Sequence, residues 1–201
     1  MSDQQKMIYA GKIIRLTLDT VRLPNGTVAE LEIIHHPGGA AVVALDAENR
    51  VCLLRQYRHA AGGWLWELPA GKLDGGEAPL LCAQRELEEE AGLQAGQWQS
   101  LGKIVSSPGV FTEVIHLFLA RALTAVPARV EEHEVIEVHW FAWNEALRMA
   151  QTGEIEDAKT LAGLLRVPNR LLKNPIHGLF QLVKQKCHFC FTSFFKHIRR
   201  V

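Results

Sequence analysis

Gly71-Lys72-Leu73-Asp74-Gly75-Gly76-Glu77, followed seven residues later by Arg85-Glu86-Leu87-Glu88-Glu89-Glu90-Ala91-Gly92-Leu93, is the stretch on which fold and chemistry both turn. Its second half reads as a helix. Pro79 suits a first helical turn, where a missing N–H is harmless, and Gly92 supplies the stop, which predicts a helix over 79–91. Apolar positions Leu80, Ala83, Leu87 and Ala91 recur at three and four residues and form one stripe for burial. Glu86, Glu89 and Glu90 also lie three and four apart, so they project from one face. Carboxylates so placed repel, at a cost of roughly a few tenths of a kcal/mol per pair. A run of glutamates is most often a solvated acidic face. Here a glycine-rich loop leads into the helix and Arg85 precedes the cluster, positioned to hold Glu77 or a neighbouring carboxylate in a charge-assisted hydrogen bond. A hard divalent cation removes the repulsion, because Mg²⁺ prefers carboxylate and water oxygens and shares them with phosphate.

Outward from this stretch, strands and helices interleave. Upstream, Lys12–Leu23 and Thr27–His35 alternate around a Leu23-Pro24-Asn25-Gly26 turn and read as a hairpin. Ala40–Asp46 and Arg50–Gln56 read as a second strand pair about the polar Asp46-Ala47-Glu48-Asn49 turn. Downstream, strands are expected over Trp98–Ser106, Val114–Ala120 and Val135–Trp143. A helix capped by Asn144 is expected to run to about Thr152, and a last one to span Asp157–Leu165. The order implies an α/β chain with a mixed sheet sandwiched by helices and extra antiparallel strands at the N-terminus. Three segments follow: residues 1–38, strand-rich; 39–165, the body; and 166–201, a basic extension.

The bulk numbers fit this plan. At 201 residues, 48% hydrophobic and 22% charged, the chain has the balance of a soluble globular protein and needs no covalent staple. The start, MSDQQKMIYAGK, lacks the charged-then-apolar pattern of a signal peptide, and no apolar run reaches the length of a membrane span. Cys52, Cys82, Cys187 and Cys190 are scattered in a way that suits reduced thiols in a cytoplasm rather than a disulfide framework. Net charge is zero, yet residues 166–201 hold eight Lys or Arg and no acid, leaving residues 1–165 at −8. An acidic body is a poor partner for nucleic acid and a reasonable host for divalent cations. The extension holds Cys187-His188-Phe189-Cys190 in an aromatic, basic run. A zinc half-site, a docked amphipathic helix, a loose extension and an anchor on nucleic acid or an anionic membrane are all open readings of it.

The quoted stretch resembles the Nudix signature, GX₅EX₇REUXEEXGU with U apolar, matching it at all nine defined positions. The resemblance implies an α/β/α sandwich whose signature forms a metal-binding loop–helix–loop. It implies that Glu86, Glu89 and Glu90 are metal ligands with the carbonyl of Ala70, that Gly71, Glu77 and Arg85 support the loop, and that Mg²⁺, or Mn²⁺ in its place, is the cofactor. Flanking segments resemble the ADP-ribose pyrophosphatase subgroup: Arg55-Gln56-Tyr57-Arg58, Trp66-Glu67-Leu68-Pro69-Ala70-Gly71, and Ser107-Pro108-Gly109 with Glu113. Val110-Phe111 departs from that subgroup's pattern after Pro-Gly. Gly11–His36 resembles its strand-rich extension, which implies a homodimer exchanging N-terminal strands.

The substrate implied is a nucleoside diphosphate sugar, ADP-ribose first, with GDP-mannose as an alternative and a non-catalytic sensor as another class of role. Arg55, Arg58, Glu67 and Glu113 are the candidate substrate contacts. Arg58 has the fork to clamp a pyrophosphate oxygen, against the plainer reading of a surface arginine at a strand end. Glu67 is a candidate for a ribose hydroxyl or a metal-held water, with a structural ion pair as the alternative. Tyr57, Trp64 and Trp66 suit either adenine stacking or packing. By resemblance the general base comes from an acidic loop before a late strand, here Glu131-Glu132-His133-Glu134. Glu132 and Glu134 are its candidates, ahead of His133, and Glu89 joins them among the catalytic carboxylates.

Overall fold

The computed structural model describes residues 2–130 and 134–168. The chain divides into two units, Met1–Val167 and Pro168–Val201, and everything below concerns the first. Glu132, His133, Cys187 and Cys190 lie outside the described residues.

Three sheets and three helices build the first unit's described part. β1 (Ser2–Ala10), β2 (Arg15–Arg22) and β3 (Val28–His35) form an antiparallel meander. The expected hairpin is its β2–β3 part, closed by Gly26 N–H donating to Leu23 O at 2.8 Å, with Gly26 at φ 85°. β1 was not expected: its sequence, SDQQKMIYA, begins with polar residues that carry no alternating apolar signal.

The second sheet is antiparallel, in the order β10 (Ile136–Ala142), β5 (Arg50–Arg58), β6 (Gly63–Glu67). The third is mixed, in the order β7 (Ala70–Lys72), β4 (Gly39–Ala44), β9 (Val114–Ala125), β8 (Leu93–Val105), with β4 and β9 parallel. β4 and β5 therefore do not form the expected pair. Ala40–Ala44 is buried on both faces, so β4 is a central strand and takes β7 and β9 as neighbours. β5 leaves for the other sheet after one bridge, Leu45 to Val51. The Asp46 carboxylate makes that departure by accepting from Glu48 N–H and Arg50 N–H.

β4 lies between two helices. Ala40, Val42 and Ala44 pack with Cys82, Ala83 and Leu87 of α1 (Pro79–Ala91). Val43, on the opposite face, meets Gly163 of α3 (Ala158–Arg166), where Leu68 also closes in. α2 (Trp143–Thr152) packs on β10 and β5. This is the α/β/α layering the sequence implies. Helix α1 spans the expected residues, and Gly92 ends it at φ 64° with its N–H on Glu88 O and Leu87 O.

Ala83 and Leu87 of the expected stripe of α1 are buried and Ala91 packs against the same core, but the buried face extends further than expected and leaves Leu80 out. Leu80 is 37% exposed, whereas Cys82, Glu86 and Glu90 are buried with Ala83 and Leu87. Helix α2 starts one residue before the expected cap: Ala142 is the cap, and Asn144 falls inside the first turn. Burial of the Trp143 ring and its N–H bond to Asn49 O set that start, and they outweigh Asn144's preference for the cap. Among the described residues no helix is long and apolar enough to cross a membrane.

Candidate active site

The site is made where β7 runs against β4 and the loop after β7 turns into α1. Gly71, in β7, is opposite Ala40, and only a residue without a side chain fits there. A Cβ at Gly71 would be driven into the carboxylate of Glu86. Gly39 is pressed in turn against Gly71, since a Cβ on it would stand 2.7 Å from Gly71 O. The glycines thus let the loop's backbone sit directly on the acidic face of α1.

Arg85 organises that face. Its Nε and Nη2 donate to Glu77 Oε1 and Oε2 at 3.1 and 3.0 Å, a two-point clamp across the loop. Nη2 also donates to Lys72 O at 3.2 Å, while Nη1 donates to Glu86 Oε1 at 2.7 Å and Glu89 Oε2 at 3.1 Å. Hydrogen bonds from Arg85 hold Glu77 below the usual carboxylate range despite the opposing effect of burial. Glu86 goes the other way: burial raises it, Arg85 opposes, and the charges of Glu89 and Glu134 raise it further.

Glu90 is the extreme case. Burial pushes its carboxyl up to about 8, opposed by the Ala70 N–H bond to Oε2 at 2.8 Å and reinforced by Glu86 and Glu134. Cys82 and Cys52 are buried free thiols, both raised to about 12, first by burial and then by the neighbouring Glu86 and Glu90 respectively.

Opposite this acidic wall stands a second cluster. Glu67, at the end of β6, is 2% exposed. Arg58, at the end of β5, grips it with Nε on Oε1 at 2.8 Å and Nη2 on Oε2 at 2.9 Å. Lys159, in the first turn of α3, donates to the same Oε2 and to Asp157 Oδ1 at 3.0 Å. Burial alone would raise Glu67, but the hydrogen bonds and charges of Arg58 and Lys159 outweigh it and hold the group low. Glu67 is therefore a buried ion-pair anchor.

Between the two walls is a cavity of about 480 Å³, lined by Arg58, Ala70, Gly71, Arg85, Glu86, Glu89, Glu113 and Glu134 among the expected residues. Glu113 meets His36 Nδ1 at 3.3 Å. Glu77, Glu90 and Glu67 support the walls from behind, through Arg85, Ala70 N–H and Arg58. Arg55 does not join this group. Its side chain is on the other face of β5, 3.5 Å from Glu137 and stacked on Trp64, which itself meets Tyr57 edge-on. Trp66 packs edge-on against His139 and Phe141.

Two cavity residues escape a reading of the sequence. His36 gives no motif signal. Lys159 gives a faint one, since a lysine in a helix's first turn opposes the helix dipole and calls for a nearby carboxylate.

The donor set suits a hard divalent cation: three carboxylates on one helix, two of them with raised pKa values that a cation would reverse. Among the described residues no three acidic, His or Cys side chains converge on one point, because Glu86 and Glu89 turn to Arg85 and Glu90 to Ala70 N–H.

A mixed sheet between helices, with a glycine loop interlocked on a glutamate-bearing helix, defines an α/β/α loop–helix fold. A family model for the NUDIX domain matches residues 35–164. An ADP-ribose pyrophosphatase of Mycobacterium tuberculosis is 40% identical over 163 residues, covering 80% of this chain and 79% of that protein. A methanol dehydrogenase activator of Bacillus methanolicus is 38% identical over 158 residues, 78% of this chain and 85% of that one. The crystal structure of an ADP compounds hydrolase superposes with a TM-score of 0.71 at 18% identity, covering 83% of this chain and 90% of its own, which speaks for the fold alone. The chain belongs to the Nudix family and is a Nudix hydrolase.

Proposed function

We propose that this protein hydrolyses the pyrophosphate bond of ADP-ribose, or of a closely related nucleoside diphosphate sugar, adding water to give AMP and ribose 5-phosphate. The observation that carries this reading is the two-walled cavity: carboxylates of α1 on one side, Arg58 braced by Glu67 on the other. A diphosphate bridging the walls meets cations at both, provided a divalent ion sits on the acidic one. The similarity to the mycobacterial ADP-ribose pyrophosphatase supports the choice of substrate.

In this reading Glu86, Glu89, Glu90 and the carbonyl of Ala70 hold Mg²⁺, with Mn²⁺ as a substitute. The ion supplies charge neutralisation of the diphosphate and a lowered pKa for water. Arg85 and Glu77 keep Glu86 and Glu89 oriented, and Gly71 lets them approach the loop. Arg58 faces the diphosphate. Glu113 and His36 form a polar end to the cavity that suits sugar hydroxyls. Glu134, on the cavity wall, is the favoured general base; Glu132 is its competitor. Arg55, facing away from the cavity beside Glu137 and Trp64, has no role in this scheme. A homodimer through β1–β3 is supported by exposed apolar residues Met7, Ile8 and Tyr9 on β1. Buried free Cys52 and Cys82 support a cytoplasmic setting.

The test is incubation of purified protein with ADP-ribose and Mg²⁺ at neutral to alkaline pH, with GDP-mannose in competition. AMP release at kcat/KM above that for GDP-mannose is expected. No AMP at any pH rejects the reading, and preferential GDP-mannose cleavage reassigns the substrate.

A further inference from the structure

The Arg58–Glu67–Lys159 cluster reaches beyond the signature, and its geometry bears on how the cavity's cationic wall is set. Glu67 has two oxygens and three N–H donors on them: Arg58 Nε on Oε1, Arg58 Nη2 and Lys159 Nζ sharing Oε2. A carboxylate that is 2% exposed needs full compensation, and Arg58 alone would give it by a closed, neutral pair. Lys159, itself paired to Asp157, adds a second donor to Oε2, which Arg58 would otherwise hold alone. Its own position is fixed from α3. Asp157 caps the helix with Oδ2 on Thr160 N–H at 2.9 Å and turns Oδ1 to Lys159. Thr160 Oγ1 accepts from Leu68 N–H at 2.9 Å, pinning the same turn of α3 to the chain that leads into β7. The Lys159 side chain is 13% exposed, and its ammonium is engaged by Glu67 and Asp157.

We propose that Lys159 is a positioning residue: through its share of Glu67 Oε2 it fixes the Glu67 carboxylate, and so the Arg58 guanidinium, on the cavity wall where a diphosphate would meet it. The proposal rests on the cavity binding a nucleoside diphosphate. Without Lys159, Glu67 loses its link to α3, and the Arg58 guanidinium it holds shifts from the place where it meets the anion, while the acidic wall is untouched. Loss of Lys159 should therefore weaken binding and spare turnover of bound substrate.

The experiment measures KM and kcat for ADP-ribose with Mg²⁺ in wild type, Lys159→Met, Lys159→Arg, Glu67→Gln, Arg58→Met and the Arg58→Met/Lys159→Met double variant. Calorimetric titration with inorganic pyrophosphate in the absence of metal reads binding without turnover. Lys159→Met is expected to raise KM and the pyrophosphate Kd about tenfold with kcat within about threefold, and Lys159→Arg to restore most of it. Adding Lys159→Met to Arg58→Met should change KM less than about twofold, since a residue acting through Arg58 has nothing left to act on. An unchanged KM and Kd for Lys159→Met overturns the proposal. A full additive effect also overturns it, because Lys159 then touches the ligand itself. If Lys159→Met does not fold, Glu67→Gln decides, with a wild-type KM and Kd counting against the relay. Absence of wild-type turnover rejects ADP-ribose as substrate, and the pyrophosphate titration then decides the relay by itself.

Discussion

Replacing Gly71 by Ala separates what the loop–helix interlock does for the fold from what it does for the site. The new Cβ would occupy the place of the Glu86 carboxylate. Gly71 does not have a positive φ, so Ala takes its backbone conformation without strain, and about 0.4–1 kcal/mol is gained through the unfolded chain. What must give is the far end of Glu86, which is flexible but held by Arg85 Nη1 at 2.7 Å. Losing that charge-assisted bond costs about 1.5–3 kcal/mol. The net is about 1–2 kcal/mol of destabilisation, a fall of roughly 2–8 °C in Tm for a chain of this size.

Activity suffers far more, because the displaced group is one of the proposed metal ligands, and a displacement of about 1 Å is worth on the order of 10²-fold in rate. Scanning calorimetry and ADP-ribose kinetics on the same preparation measure both quantities. Gly39→Ala is the control: its Cβ would press on backbone, 2.7 Å from Gly71 O, so it should lower Tm more than Gly71→Ala does. A Gly71→Ala protein that folds and keeps wild-type kcat would refute the assignment of Glu86 to the chemistry.

Glu90→Gln should abolish most activity and flatten the pH dependence of stability in the metal-free protein. Glu90 rises from an ordinary 4.5 to about 8 on folding, so the folded state binds its proton more tightly, and the stability this contributes is lost as pH rises from about 4.5 through about 8. Thermal melts with chelator present should show that fall in wild type and a shallower one in the variant; a flat wild-type profile contradicts it. Thr160→Val removes the acceptor for the Leu68 N–H and should cost about 1–3 kcal/mol in urea unfolding, with an unchanged midpoint counting against the brace. Glu134→Gln should lower kcat by about 10²–10⁴ with little change in KM; if Glu132→Gln does this instead, the base is Glu132.

The parts of the site legible in the sequence are those set by local geometry. Helical spacing alone brings Glu86, Glu89 and Glu90 to one face, and Arg85 lies close enough in sequence to both Glu77 and Glu89 for their pairing to follow. Long-range contacts were not legible. A first-turn lysine at 159 calls for some carboxylate, but nothing says that it is Glu67, which is 92 residues away. The β4–β5 pairing failed for a related reason: a short polar turn between two apolar runs looks like a hairpin, and only the burial of both faces of β4 shows it needs β7 and β9 instead.

The buried face of α1, which keeps Ala83, Leu87 and Ala91 of the expected stripe, bears on the site through its one departure. Apolar periodicity assigned Leu80 to the core, yet the buried face takes Glu86 and Glu90 and leaves Leu80 half out. The carboxylates of an amphipathic helix ordinarily face water. Here Gly71 admits the Glu86 carboxylate, and the Ala70 N–H holds Glu90. Two carboxyls whose burial raises their pKa values are thus kept beside a cavity rather than released to solvent. Stored electrostatic cost of this kind is relieved by a bound cation, so affinity for the ion and the instability of the empty face share one origin. The consequence is that substitutions lowering the cost, such as Glu90→Gln, should stabilise the metal-free fold in proportion as they weaken the ion's hold.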